Sequence, residues 1–242
     1  MSLPPPLTPA ADVLPALRER GHAVLGRAGL EELVGRPGAA LDALRPSWDD
    51  LPPDTYLRDG GRYRSRRHSC FVVDGAEVTQ VPHRAHWQPV EYNALHGGLE
   101  RWFEPMRPDL VARPVWSQLL RGLASLPSAL KGPRRWYVEA HQFRIDTTDG
   151  IGRPTPEGAH RDGVDFVVVV LVGRQDIKGG ETRVFEAAGP HGIRFTLTEP
   201  WSALLLDDER VIHESTPIQP LGAHGHRDTL VLTFRASGFQ GP

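Results

Sequence analysis

The apolar positions of the chain change period near its middle, and the change divides it into two textures. In the first part, Asp12 to Arg20 carries Val13, Leu14 and Leu17 at helical spacing and stops at Gly21. Pro114 to Leu126 repeats the pattern with Val115, Leu119, Leu120 and Leu123. Both stretches predict amphipathic helices that cover a neighbouring layer. Between them, Tyr63 to Val73 and Ala76 to Val81 flank Asp74-Gly75, a dipeptide suited to the positive φ angles of a tight hairpin turn, so this half contributes strands as well.

After Gly132-Pro133 the runs become short and apolar or alternating: Trp136 to Ile145, Val164 to Val172, Thr182 to Phe185, Ile193 to Leu197, Ser202 to Leu206, Val211 to His213 and Thr229 to Phe234. Glycine, proline and aspartate separate most of them. This predicts an antiparallel sandwich or barrel, closed to limit exposed edges, for which a jelly roll is a common solution. The expected organisation is a mainly β fold: a mixed covering region over residues 1–133, in the same domain as a β core over residues 134–242. The unbroken run Val167 to Val172 predicts a strand buried on both faces. No internal repeat is present, and the proline-rich start reads as a loose tail.

Composition narrows the function classes. Lys plus Arg total 28 against 30 Asp plus Glu, a formal net charge of −2, which gives no global basic field for nucleic acid. Cys70 is the sole cysteine, which excludes an internal disulfide and a cysteine-cluster metal site and fits a cytoplasmic location. The start, Met1-Ser2-Leu3-Pro4-Pro5-Pro6, lacks the charged and apolar regions of a secretory signal, and no run approaches the roughly 20 apolar residues of a membrane span. The expected partner is a small-molecule substrate, with oligomeric state left open.

The chemistry concentrates in His160-Arg161-Asp162. Side chains at i and i+2 of an extended chain point the same way, about 7 Å apart at their origins, so an imidazole and a carboxylate can close on one ion. One such tripeptide is weak evidence, but His213 follows at the end of a strand pattern, and Arg227 follows that. Two histidines and a carboxylate on one face of an octahedral ion leave three positions open, as in non-haem Fe(II) oxygenases. A structural zinc site would need a fourth ligand, and none is suggested. Arg227 and Thr229 share one face of the last strand and suit a carboxylate anchor, the guanidinium as a planar fork and the hydroxyl as a further donor.

These motifs carry a family resemblance. His141-Gln142-Phe143-Arg144-Ile145, Pro156-Glu157-Gly158-Ala159-His160-Arg161-Asp162-Gly163, Gly179-Gly180-Glu181-Thr182, Asp208 through His213 and Arg227-Asp228-Thr229 resemble the bacterial 2-oxoglutarate-Fe dioxygenases that include L-isoleucine dioxygenase and related free-amino-acid hydroxylases. The resemblance covers about 90 residues and implies a double-stranded β-helix, cupin-like in its jelly roll. It further implies iron held by His160, Asp162 and His213, and the distal carboxylate of 2-oxoglutarate on Arg227. Fe(II), 2-oxoglutarate and dioxygen are then the cofactors. The implied reaction hydroxylates a free aliphatic L-amino acid and releases succinate and carbon dioxide, with no catalytic side chain beyond the metal centre.

For the substrate, Gln142 and Arg144 at i and i+2 of the first core strand are the candidates, with Arg144 set to meet a carboxylate; a structural ion pair is its competing role. His141 is expected to face the other way. The run Arg62 to Arg67 reads as a lid strand or a solvated face. His191, His224 and His226 read as exposed loop histidines, and His83 and His86 receive no role. Two alternatives stay open: a non-catalytic cupin-like metal-binding or sensing module, against which Arg227 argues, and an oxygenase acting on another metabolite or a protein side chain.

Overall fold

The structure is a computed structural model that describes residues 3–35, 38–93 and 95–242. Met1 and Ser2 of the proline-rich start lie outside the described residues. The rest of that start is laid down on the protein: Thr8 N–H donates to the Val24 carbonyl at 2.7 Å, and the Leu3 carbonyl accepts from Thr196 N–H at 2.9 Å.

Among the described residues, twelve strands and five α-helices make up the fold. The strands are β1 (His22–Leu25), β2 (Arg64–Asp74), β3 (Glu77–Gln80), β4 (Trp136–Asp146), β5 (Phe166–Gln175), β6 (Ile177–Gly179), β7 (Thr182–Glu186), β8 (Gly192–Phe195), β9 (Ala203–Asp207), β10 (Val211–Ser215), β11 (Ile218–Pro220) and β12 (His226–Arg235). The helices are α1 (Val13–Arg20), α2 (Arg27–Val34), α3 (Gly38–Asp42), α4 (Pro108–Val111) and α5 (Pro114–Lys131). Gly21 ends α1 in the left-handed region at φ 73°, its N–H returning to the Leu17 carbonyl. Past Leu126, α5 continues through Pro127 to Lys131, because both residues are buried and their packing outweighs the one hydrogen bond proline cannot donate.

A seven-stranded sheet runs β1-β9-β5-β12-β4-β2-β3, with β10-β7-β8 and the pair β11-β6 as smaller sheets, and every pairing is antiparallel. The expected β-rich jelly roll is therefore present as the double-stranded β-helix. Three strands of its main sheet come from the first 80 residues, including β1, whose four residues are too short to show a period in the sequence.

The main sheet has two buried faces. Phe71, Val73, Val138, Ala140, Val168, Val170, Leu230, Leu232 and Phe234 pack with Leu17, Trp116, Leu119, Leu120 and Leu123 of the covering helices. The opposite face meets β7, β8 and β10, where Val167, Leu171, Val184, Phe195, Leu204 and Val211 form a second cluster. The valine run of β5 serves both layers, as a continuously apolar strand should. A smaller cluster of Tyr63, Ile145, Ile177 and Ile218 closes the far end. Val169 and Val231 border the second cluster, Ile145 belongs to the third, and all three line one cavity that lies between them.

Candidate metal centre and substrate cavity

His160 and His213 are brought side by side by reciprocal backbone hydrogen bonds of 3.0 Å, each N–H donating to the other's carbonyl. Their rings lie 4.7 Å apart between centroids. Asp162 closes the set: its Oδ1 is 4.0 Å from His160 Nε2 and its Oδ2 is 3.7 Å from His213 Nε2. Donor atoms of all three lie within 4.8 Å of one another. Pairs at these separations leave room for one ion about 2 Å from each donor. His160 Nδ1 donates to the Gly158 carbonyl at 2.9 Å, so the lone pair on Nε2 faces the ion position.

The loop that carries Asp162 is fixed by a second carboxylate. Asp208 accepts the backbone N–H of Asp162, Gly163 and Val164 at 3.1, 2.8 and 3.1 Å. Gly163 sits at φ +72°, and a Cβ there would come within 2.4 Å of the Tyr92 ring, so both conformation and space require glycine. Burial raises the Asp162 carboxyl to about 7, with the Asp208 and Glu157 carboxylates adding to the rise and the His160 imidazole opposing it. A buried carboxylate crowded by two others calls for a cation, so the donor set fits a divalent ion.

Arg227 lines the same cavity as the three donors. It is only 3% exposed, and its Nε and Nη2 have no hydrogen-bond partner. Among the described residues no carboxylate lies within ion-pairing distance of it, and burial together with the nearby Arg174 lowers its pKa to about 10. A lone buried guanidinium is costly unless an anion completes it, so this end of the cavity suits a carboxylate such as that of 2-oxoglutarate. Thr229 lines the cavity beside it, as their shared strand face requires.

Gln142 and Arg144 do not reach this cavity. Gln142 is fully buried on the helix-covered side, its Nε2 donating to Ser47 Oγ at 2.8 Å. Arg144 forms a two-point ion pair with Asp228, its cross-strand partner, at 2.8 and 2.7 Å, and also reaches Asp49 at 3.1 Å. The residues of β4 that line the cavity are His141, Phe143 and Ile145. The expected strand was right in extent and wrong in phase by one residue, which exchanges its two faces.

The run Arg62 to Arg67 is resolved the same way: Arg64 and Arg66 point into the cavity, whereas Arg62 is exposed and pairs with Asp149. Gln88, Asn93, His96 and Arg101 also line the cavity and went unread in the sequence; His86, which received no role, and Glu157, read only as part of a motif, line it as well. The segment between β3 and α4 that supplies most of them has no regular element among its described residues and no period in its sequence. His191 and His224 are exposed, as expected of loop histidines; His226 is partly buried, and its Nε2 lies 3.5 Å from Asp228.

A second group, His68, His86, Glu139 and His141, also gathers its donor atoms within 4.8 Å. Its hydrogen bonds tie it into a proton network that leaves His68 Nδ1 buried without a partner among the described residues. Glu139 Oε2 accepts from His86 Nδ1 at 2.6 Å and His68 Nε2 at 3.0 Å. Arg66 Nη2 donates to His141 Nδ1 at 2.6 Å, which leaves the His141 proton on Nε2, the atom 3.9 Å from Glu139. A nitrogen that carries its proton has no lone pair for an ion.

The chain is similar in sequence and shape to a bsmA homolog from Methylobium petroleophilum PM1, whose crystal structure is 58% identical with a TM-score of 0.93 over 98% of this chain and 96% of that one. IDO from Bacillus thuringiensis shares the fold at 17% identity and a TM-score of 0.74, covering 94% of this chain and 99% of that one. The Fe(II)/(alpha)ketoglutarate-dependent dioxygenase TqaL does so at 19% and 0.72, covering 93% and 86%. No protein of curated function matches the sequence. No helix among the described residues is long and apolar enough to cross a membrane. The model of the 2OG-Fe dioxygenase family matches residues 45–233, a span that takes in the three donors, Arg227 and the whole cavity between them, and the chain belongs to that family of Fe(II)- and 2-oxoglutarate-dependent oxygenases.

Proposed function

We propose that the protein hydroxylates a free aliphatic L-amino acid, with iron held by His160, Asp162 and His213 and 2-oxoglutarate anchored by Arg227 with help from Thr229. The observation that carries this reading is the unpaired, 3% exposed Arg227 in the same cavity as the three donors. Fe(II) with 2-oxoglutarate and dioxygen supplies the oxidising chemistry, whose by-products are succinate and carbon dioxide. The chain itself binds, orients and excludes water: Asp208 holds the Asp162 loop, and Phe143, Ile145, Val169 and Val231 give the cavity apolar surface. No side-chain acid or base is assigned a proton transfer. A non-catalytic metal-binding module has no use for Arg227, and for that reason is the weaker reading.

The reaction is tested by anaerobic loading with Fe(II) and 2-oxoglutarate, followed by aerobic succinate release with a panel of L-amino acids led by isoleucine, leucine and methionine. The expected result is succinate that rises with one of them, alongside a product heavier by one oxygen. Failure to bind 2-oxoglutarate would remove the anchor assigned to Arg227. Binding with no turnover stimulated by any amino acid would remove the substrate class.

A further inference from the structure

The cavity wall carries a set of charges that neither the metal donors nor Arg227 accounts for. Arg64 and Arg66 come from β2, Arg101 from the segment before α4, and Glu157 from the loop leading to His160. The three arginines are 6, 3 and 2% exposed. Arg64 Nε donates to Asp54 at 2.7 Å, and Arg66 lies 3.8 Å from the same carboxylate. Among the described residues Arg101 Nη2 donates only to Gln88 Oε1, at 3.0 Å. Arg64 Nη2, Arg66 Nε, Arg101 Nε and Glu157 Oε2 are all buried without a hydrogen-bond partner.

The charges are present in equal number but are not paired one to one. Asp54 takes Arg64 and Arg66, and Glu139 is held by His68 and His86, which with His141 are kept neutral chiefly by burial. Arg101, with no carboxylate within ion-pairing distance among the described residues, is the guanidinium left unpaired. Burial and the neighbouring Arg64 push its pKa down to about 10, a repulsion that an anion between the two would reverse. On the loop side, Glu157 Oε2 is the carboxylate oxygen left without a partner, while its Oε1 lies 3.6 Å from His160 Nε2.

The position relative to the metal centre follows from Gln88. Its Oε1 accepts from Arg101 and from Asn93 Nδ2, each at 3.0 Å, and its Nε2 donates to Asp162 Oδ1 at 3.3 Å. Arg101 is therefore two hydrogen bonds from the candidate metal donor Asp162, and an anion on it would share the cavity with Arg227 but sit on a separate guanidinium.

We infer that the substrate is bound as a zwitterion, its carboxylate seated by Arg101 and Arg64 and its ammonium by Glu157 Oε2. This deepens the amino-acid reading of the proposed function and rests on it for the substrate class. It replaces Arg144, whose guanidinium is taken by Asp228, as the carboxylate partner. Gln88 is a positioning residue in this arrangement, holding Arg101 and Asp162 in one frame.

The test is equilibrium binding by calorimetry under nitrogen, with enzyme loaded with Fe(II) and 2-oxoglutarate. The probes are the L-amino acids, with leucine compared against L-leucinamide, which lacks the carboxylate charge, and 4-methylpentanoic acid, which lacks the ammonium. Wild type should bind the amino acid about 100-fold more tightly than either analogue. Arg101→Gln should weaken the amino acid and 4-methylpentanoic acid about 100-fold and leave L-leucinamide unchanged. Glu157→Gln should weaken the amino acid and L-leucinamide and leave 4-methylpentanoic acid unchanged. Arg101→Lys, which keeps the buried charge, should fall between. In the Arg101 variants 2-oxoglutarate should bind as in wild type, which separates this seat from Arg227 and reports an intact fold. Equal affinity for leucine and its two analogues would overturn the proposal without using a variant, as would an Arg101→Gln protein that binds leucine normally. Tight 2-oxoglutarate binding with no affinity for any amino acid would overturn it together with the substrate class, while leaving the metal and 2-oxoglutarate assignments standing.

Discussion

Replacing Arg227 by methionine should raise the stability of the protein without ligands and abolish its response to 2-oxoglutarate. The side chain is 3% exposed, two of its three nitrogens have no partner, and Arg174 repels it. Methionine keeps much of the aliphatic volume and removes the desolvated charge. Exchanges of buried ionic groups for apolar ones of similar volume stabilise by about 1–4 kcal/mol. For a chain of 242 residues each kcal/mol moves Tm by roughly 2–4 °C, so a rise of about 2–16 °C is expected in the metal-free, ligand-free protein. The opposite effect is expected on binding. Loss of one partner of a desolvated charge pair costs about 2–5 kcal/mol, or roughly 30- to 4000-fold in the affinity for 2-oxoglutarate. Both are read in one thermal-shift series run with and without 2-oxoglutarate. Wild type should gain stability as the ligand saturates, and the variant should start higher and stay flat. A variant that melts lower than wild type and still responds to 2-oxoglutarate would refute the account of Arg227 as an unpaired cation awaiting an anion.

Four further outcomes follow from the same geometry. Asp208→Asn leaves one oxygen to serve three backbone N–H donors; a stability loss of about 1–3 kcal/mol and iron binding weakened about 10- to 100-fold, by denaturant melts and metal titration, are expected, and unchanged iron affinity would show that Asp208 does not position Asp162. Gly163→Ala meets Tyr92 at 2.4 Å in a left-handed conformation and should lose at least about 1–3 kcal/mol; a wild-type melting curve would contradict it. Iron titration should saturate at one ion per chain, since the tautomer forced on His141 by Arg66 closes the second histidine cluster, and a second equivalent lost in His68→Ala would prove that cluster a metal site. The same histidines set an acid limit. Burial holds His68, His86 and His141 below 6.5 in the folded state, His86 at about 3, so on acidification the unfolded chain takes up protons that the folded one refuses. Stability is therefore fully present above pH 6.5 and falls below it, by up to about 1.4 kcal/mol per pH unit for each histidine; denaturant melts at pH 7.5 and 5.5 measure this, and equal stability at the two would be the contrary result.

The sequence by itself determined what depends on local order. Apolar periodicity placed α1, the start of α5, the hairpin at Asp74-Gly75 and the long strands, because each lies in consecutive residues whose exposure repeats. The candidate metal donors and Arg227 were legible for a related reason: His160 and Asp162 are two residues apart, and His213, Arg227 and Thr229 lie on two strands, β10 and β12, whose pattern is plain. What the tertiary structure alone decided was which face of β4 looks inward. Both of its faces are buried, one against the helices and one around the cavity, so alternation could not choose between Gln142 with Arg144 and His141 with Phe143. The side is set by cross-strand neighbours, Asp228 drawing Arg144 outward while Arg66 meets His141 within, and both neighbours are more than 70 residues away in the chain. The roles of Arg101, Gln88 and Glu157 were hidden for the same physical reason: they lie on irregular backbone, where no period marks an inward side chain, and only the closing of the barrel brings their polar groups together.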